Sequence, residues 1–226
     1  MANQLDLEEQ EQLDQLKHFW NRYGNLITGL LLAVLMGIAG WNGYHYWQRS
    51  QATQSAAMFD EMSKSVATGD MAMAQRTFSD MKERYGAASY TQQAGLALAK
   101  LAIEKGDFDG AKAALQWVID KSGDEGYVAI ARLRLAAIYF DAKDYVQALT
   151  VLDNVKAEAF AALALDRKGD VLMMQDKRAE ALSAYSQAYQ KLEERSQYRR
   201  VVQVKLNALG VEPNAAAKAK LQQEVK

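Results

Sequence analysis

A chain of 226 residues carries 27 basic against 28 acidic side chains, a formal net charge of −1, which excludes the broad basic surface that nucleic acid requires. It has no cysteine and two histidines, His18 and His45, so no disulfide framework or thiolate site can form, and a histidine-based metal site or triad has nothing to build on downstream. Apolar residues make up 50%, charged residues 24%, and there is one proline, a composition with room for one ordinary core and a bias toward an all-α chain.

The amino end is acidic, with Asp6, Glu8, Glu9, Glu11 and Asp14 against Lys17 and Arg22. From Leu26 to Trp47 no residue carries a formal charge, and as a helix this run would reach roughly 33 Å, enough for a bilayer core of about 30 Å. Phe19, Trp20 and Tyr23 precede it and Trp41, Tyr44, Tyr46 and Trp47 end it, so Trp20, Tyr23, Trp41, Tyr44 and Trp47 are expected to form two interfacial belts facing membrane lipid. A cleaved signal would need a short positive leader and small residues directly after the apolar core. The leader here is long and acidic and the core is followed by bulky rings, so the segment reads as a retained anchor. Lys17 and Arg22 against Arg49 alone on the far side favour an amino end in the cytoplasm. Within the run Gly29, Ala33 and Gly37 recur every four residues, a spacing that lets a second membrane helix approach closely.

The remainder repeats. "GDMAMAQRTF" at 69, "GDFDGAKAAL" at 106, "KDYVQALTVL" at 143 and "DKRAEALSAY" at 176 start 37, 37 and 33 residues apart. In each, alanine follows five positions on (Ala74, Ala111, Ala148, Ala181) and a large side chain four further (Phe78, Leu115, Leu152, Tyr185). Twelve residues before those alanines stand Met62, Ala99, Ala136 and Gly169. Small residues at helix crossings and a Gly or Asp ending each first helix predict stacked helical hairpins, a pattern that resembles the tetratricopeptide repeat. The organisation expected is an all-α chain: a cytoplasmic tail over 1–24, a transmembrane helix over 25–47, a repeat solenoid over 48–210 with a degenerate first copy and a capping helix ending at Gly210, and a mobile polar tail over 211–226.

The glycines of "KGD" at 105 and 168 and "SGDEG" at 122 fit turns and match no phosphate-loop spacing. Asp166 and Asp170, one helical turn apart, read as a solvated surface pair without catalytic partners. No enzyme activity and no cofactor are expected; what remains is a surface. Aligned on the small residues, Ile103, Phe140 and Met173, with Met174 adjacent, form the candidate groove for a segment of another protein. The competing expectation is that these side chains pack between neighbouring helices.

"LKHFWNRYGNLITGLLLAVLMGIAGWNGYHYWQ" and "AALALDRKGDVLMMQDKRAEALSAYSQA" are together similar to the YfgM family, ancillary subunits of the bacterial SecYEG translocon. The likeness covers about residues 8 to 210. It implies a single-span inner-membrane protein with a periplasmic repeat domain, partnered by the SecYEG translocon and a PpiD-like periplasmic chaperone, and helping to pass newly translocated, unfolded clients to periplasmic chaperones. A scaffold that clusters envelope-assembly or division complexes without touching clients is the alternative expectation.

Overall fold

The computed structural model describes residues 7–213, and all regular structure among them is helical. The helices are α1 (Leu7–Thr68), α2 (Met71–Tyr85), α3 (Ser89–Glu104), α4 (Phe108–Lys121), α5 (Glu125–Asp141), α6 (Tyr145–Asp153), α7 (Glu158–Met174), α8 (Arg178–Lys191) and α9 (Gln197–Ala208). Most of the tail expected over 211–226 lies outside the described residues. The chain forms two units, one reaching to Thr53 and the other beginning at Gln54.

The first unit consists of the greater part of α1. Much of its apolar surface stays open: Leu30, Leu35 and Met36 are 63%, 60% and 69% exposed. A 62-residue helix with such a stretch is long and apolar enough to cross a membrane.

The second unit is a chain of helices in which each packs on the next from α2 to α9, with the first helices α3, α5 and α7 also touching one another. This is the nearest-neighbour packing of a solenoid. The sequence pattern places the core: Ala74, Ala111, Ala148 and Ala181 are fully buried, as are the large residues four positions on, Phe78, Leu115, Leu152 and Tyr185. Met62 and Ala99 are sealed as well, and Ala136 and Gly169 are buried in the same register. The degenerate first copy is the carboxyl end of α1 paired with α2: Met62 shares a core cluster with Ala74, Phe78 and Met81, and the Tyr85 hydroxyl donates to Gln54 Oε1 at 2.8 Å.

One local device ends every first helix. Gly69, Gly106, Lys143, Asp176 and Gly210 have φ between 58° and 84°, and the next residue's N–H reaches back to a carbonyl five positions earlier, as in Asp107 to Ala102 at 2.8 Å and Asp144 to Tyr139 at 2.8 Å. These are Schellman turns, which satisfy carbonyls the helix leaves orphaned. Asp70, Asp107 and Asp144 then cap the second helices by accepting from the N–H three residues on. In the last hairpin the order is reversed: Asp176 takes the left-handed position and Lys177 provides no side-chain cap.

The expectation of Gly or Asp at the end of each first helix needs one correction. In the third hairpin the left-handed residue is Lys143, φ 60°, because the turn geometry is set by helix packing and the side chain must accept it. A Cβ in that region costs about 1–2 kcal/mol, which glycine avoids. Lys143→Gly is therefore expected to raise stability by about 1 kcal/mol in chemical denaturation, whereas the same change at the neighbouring helical residue Asp141 should lower it.

Candidate interaction surfaces

On α1 the stripe Gly29, Ala33, Gly37 is exposed, and beyond the helix's own backbone no atom lies within 4 Å of a Cβ built on either glycine. Gly24 differs, since the Trp20 indole lies 3.2 Å from such a Cβ. The belt residues Trp20, Tyr23, Trp41, Tyr44 and Trp47 are 42–67% exposed, and ring contacts such as Trp41 with His45 at 4.6 Å gather the second group. Bare backbone at four-residue spacing is the surface a helix presents when it has room for another at close range.

The repeat unit presents its own surface on α3, α5, α7 and α9. The residues expected to line a groove divide there. Ile103 and Met174 are exposed, 37% and 56%. Phe140 is half-buried against the cluster of Leu152, Ala164 and Val171, its ring 6.0 Å from that of Tyr145. Met173 is half-buried against the separate cluster that holds Tyr185 and Leu206. Two of the four are open side chains and two contribute to packing.

Counting back from each left-handed residue shows what does face outward. Six positions back stand Lys100, Ala137 and Asp170, and Val204 in α9; nine back stand Ala97, Arg134 and Arg167, and Val201 in α9. Lys100, Arg134, Ala137 and Arg167 are exposed, as are Val201 and Val204 at 47% and 66%. Between α5, α6 and α7 this face opens into a cavity of about 60 Å³, lined by Leu133, Ala137, Phe140 and Val171 with Arg167 and Asp170 as its charged groups.

Beside the cavity is a polar cluster that the sequence reading missed. Asp166 is not a solvated surface carboxylate; it is completely buried. The reason is α9: Lys205 Nζ donates to both Asp166 oxygens at 2.8 and 2.9 Å and to Asp170 Oδ1 at 2.6 Å. The Tyr198 hydroxyl donates to Asp166 Oδ2, and the Tyr185 hydroxyl donates to Asp170 Oδ1 at 2.8 Å. Lys205 also lies 5.2 Å over the Tyr185 ring, and Arg199 lies 4.2 Å over that of Tyr189. The signal was present in the register. Ten positions before the left-handed residue, α3 and α5 carry Leu96 and Leu133 where α7 carries Asp166; five before it, α3, α5 and α7 carry Leu101, Ile138 and Val171 where α9 carries Lys205. An opposite-charge pair thus replaces an apolar pair at the last joint, and only its satisfied hydrogen bonds make burial tolerable.

Burial first, and then the hydrogen bond to a carboxylate that accepts only from the neutral phenol, holds both Tyr185 and Tyr198 well above the ordinary tyrosine value of 10.0. A pKa raised in the folded state gives stability that is complete below the unfolded value and is lost as pH rises beyond it. The full chain in detergent is expected to lose stability progressively as pH rises above about 10, and Tyr198→Phe should lose measurably less over that range. Parallel curves for the two proteins would refute this account of the phenols.

Residues 17–211 match the model of a tetratricopeptide repeat-like domain. The chain is similar to a protein of Neisseria gonorrhoeae named "Ancillary SecYEG translocon subunit", with 31% identity over 204 residues, 90% of this chain and 98% of that one. Proteins of the same name from Haemophilus influenzae and Escherichia coli are 32% and 27% identical over 209 residues, again 90% of this chain and 98% and 97% of theirs.

Proposed function

We propose, from the premise that the chain belongs to the tetratricopeptide repeat-like family of ancillary SecYEG translocon subunits, that it is a membrane-tethered interaction module serving the translocon and passing newly translocated chains to periplasmic chaperones. The observation that carries this reading is the pairing on one chain of an exposed, small-residue helix face, Gly29 to Gly37, with an array of stacked hairpins. On this reading residues 25–47 span the inner membrane, 1–24 lie in the cytoplasm and the repeats over 48–210 lie in the periplasm. The span docks against a translocon helix, while the repeats hold a PpiD-like chaperone or an unfolded client. Affinity at the second site can be modest, because tethering raises effective concentration without new contacts. The fold and its relatives speak for a binding role and against catalysis.

The test is photo-crosslinking in intact cells from positions 29 and 37 and from positions 103 and 174. The first pair is expected to capture translocon subunits, the second a chaperone or a nascent periplasmic chain. Capture of neither from either region sinks the proposal. Capture at the span with none at the repeats favours the scaffold that clusters membrane complexes without touching clients.

A further inference from the structure

The joint between α7 and α9 is built unlike the two before it. Ten residues before the left-handed end stand Leu96 in α3 and Leu133 in α5, and five before it stand Ile138 in α5 and Val171 in α7; at the last joint these positions are Asp166 and Lys205. α9 buries Val202 and Leu206 and is tied further to α7 and α8 by polar groups. Lys205 bridges Asp166 and Asp170, and the Tyr198 hydroxyl donates to Asp166. Two of its cations lie over rings of α8, Lys205 over Tyr185 and Arg199 over Tyr189.

That difference makes the last joint the easiest to open. Separating an apolar joint exposes leucine to water; separating this one returns Asp166, Asp170 and Lys205 to water, and the hydration regained offsets part of the lost pairing. As the end helix of a nearest-neighbour array, α9 can leave without breaking the contacts of α2 to α8 with one another. Its connection to α8, residues 192–196, carries Glu193, Glu194 and Arg195 exposed. The face it covers presents Leu172, Tyr185 and Tyr189 with the two carboxylates. With α9 docked, Asp166 and Asp170 are balanced by Lys205 and Arg167; without it, two carboxylates face one guanidinium. The uncovered face is short of one cation, and α9 shows the form in which a helix supplies it: Arg199, Val202, Lys205 and Leu206, on one side of the helix at offsets of three, six and seven.

Resting on the reading of the repeats as an interaction module, we propose that α9 is a displaceable occupant of the α7–α8 face, and that this face binds an amphipathic helix of a partner protein that sets a lysine between Asp166 and Asp170 and an aliphatic residue beside it. The short linker keeps α9 at high effective concentration, so it closes the site until a partner helix is held nearby. Apolar burial against Leu172 and the tyrosines supplies affinity, and the paired carboxylates select the cation.

The experiment uses the full chain in non-ionic detergent micelles. Hydrogen exchange reads the opening: the amides of α9 are expected to exchange at least about tenfold faster than those of α3, α4 and α5. A labelled peptide with the sequence of residues 196–210 reads the site by fluorescence anisotropy. It should bind a chain whose own α9 is released by Val202→Asp with Leu206→Asp at least about tenfold more tightly than the unaltered chain, and Lys205→Met in the peptide should cost about tenfold or more. In the unaltered chain, which needs no released variant to fold, excess peptide should speed α9 exchange several-fold and the Lys205→Met peptide should not. Protection of α9 equal to that of α3 to α5, no effect of the peptide on α9 exchange, or equal action of the two peptides overturns the proposal. A concentration-dependent dimer of the unaltered chain in which α9 is exchanged also overturns it, in favour of a second copy as the occupant. Crosslinking from positions 29, 37, 103 and 174 reads the functional assignment separately and does not depend on this outcome.

Discussion

Lys205→Met is expected to destabilise the repeat unit by about 3–5 kcal/mol, the usual cost of leaving a buried charge without its partner. Asp166 is fully buried and takes both its oxygens to Lys205; without the ammonium only the Tyr198 hydroxyl remains to it. The damage concentrates at α9, whose own apolar anchors are Val202 and Leu206. The compensating experiment is what makes the claim specific. Asp166→Leu combined with Lys205→Val restores the residue types that stand at the same register in α5 and α7, Leu133 and Val171. The double variant is expected to lie within about 1 kcal/mol of the starting protein or above it, since a buried pair replaced by well-packed apolar residues is often neutral or stabilising. Urea denaturation of the full chain in detergent measures all four corners of the cycle. A double variant as weak as Lys205→Met alone would mean that the last joint requires the ion pair for its geometry.

The second large effect is expected from Gly169→Ala. An added methyl in an exposed helix interior normally gains about 1 kcal/mol over glycine. Here a Cβ would lie 2.6 Å from Tyr185 Cδ1 and 2.8 Å from Cζ, and the ring cannot swing aside because it is 3% exposed and tied through its hydroxyl to Asp170. Overpacking at such a site costs about 1–3 kcal/mol, so against a gain of about 1 kcal/mol the net change should be a loss of up to about 2 kcal/mol, with α7 and α8 pushed apart. Gly29→Ala, where nothing beyond the helix's own backbone lies within 4 Å, should show no such loss in detergent. A Gly169→Ala protein as stable as the parent would show that Tyr185 has a second accessible position.

The repeat fold was legible because its code is local and periodic. The alanines at 74, 111, 148 and 181 and the small residues at 99, 136 and 169 mark crossings where backbones approach, and the buried partners Phe78, Leu115, Leu152 and Tyr185 follow at fixed offsets. The turns were legible for the same reason, except that Lys143 carries a conformation its side chain disfavours. Asp166 was misread because a carboxylate one turn from another is ordinarily surface, and its burial depends on a lysine 39 residues away. The groove was half-legible: the spacing found the right helices, but Phe140 and Met173 turn toward packing while Ala137 and Arg167 border the open cavity.

The sequence by itself determined the long apolar helix with its aromatic ends, the count and period of the hairpins, and the residues that seal each one, since hydrophobic periodicity and turn chemistry act over a few residues. Only the tertiary structure decided that Asp166, Lys205, Asp170, Tyr185 and Tyr198 meet, and that Arg167 and Asp170 stand together at the mouth of a cavity. Which helix lies beside which, and at what rotation, follows from the summed packing of side chains far apart in the chain, and burial of a charge is settled by that sum rather than by its neighbours in sequence.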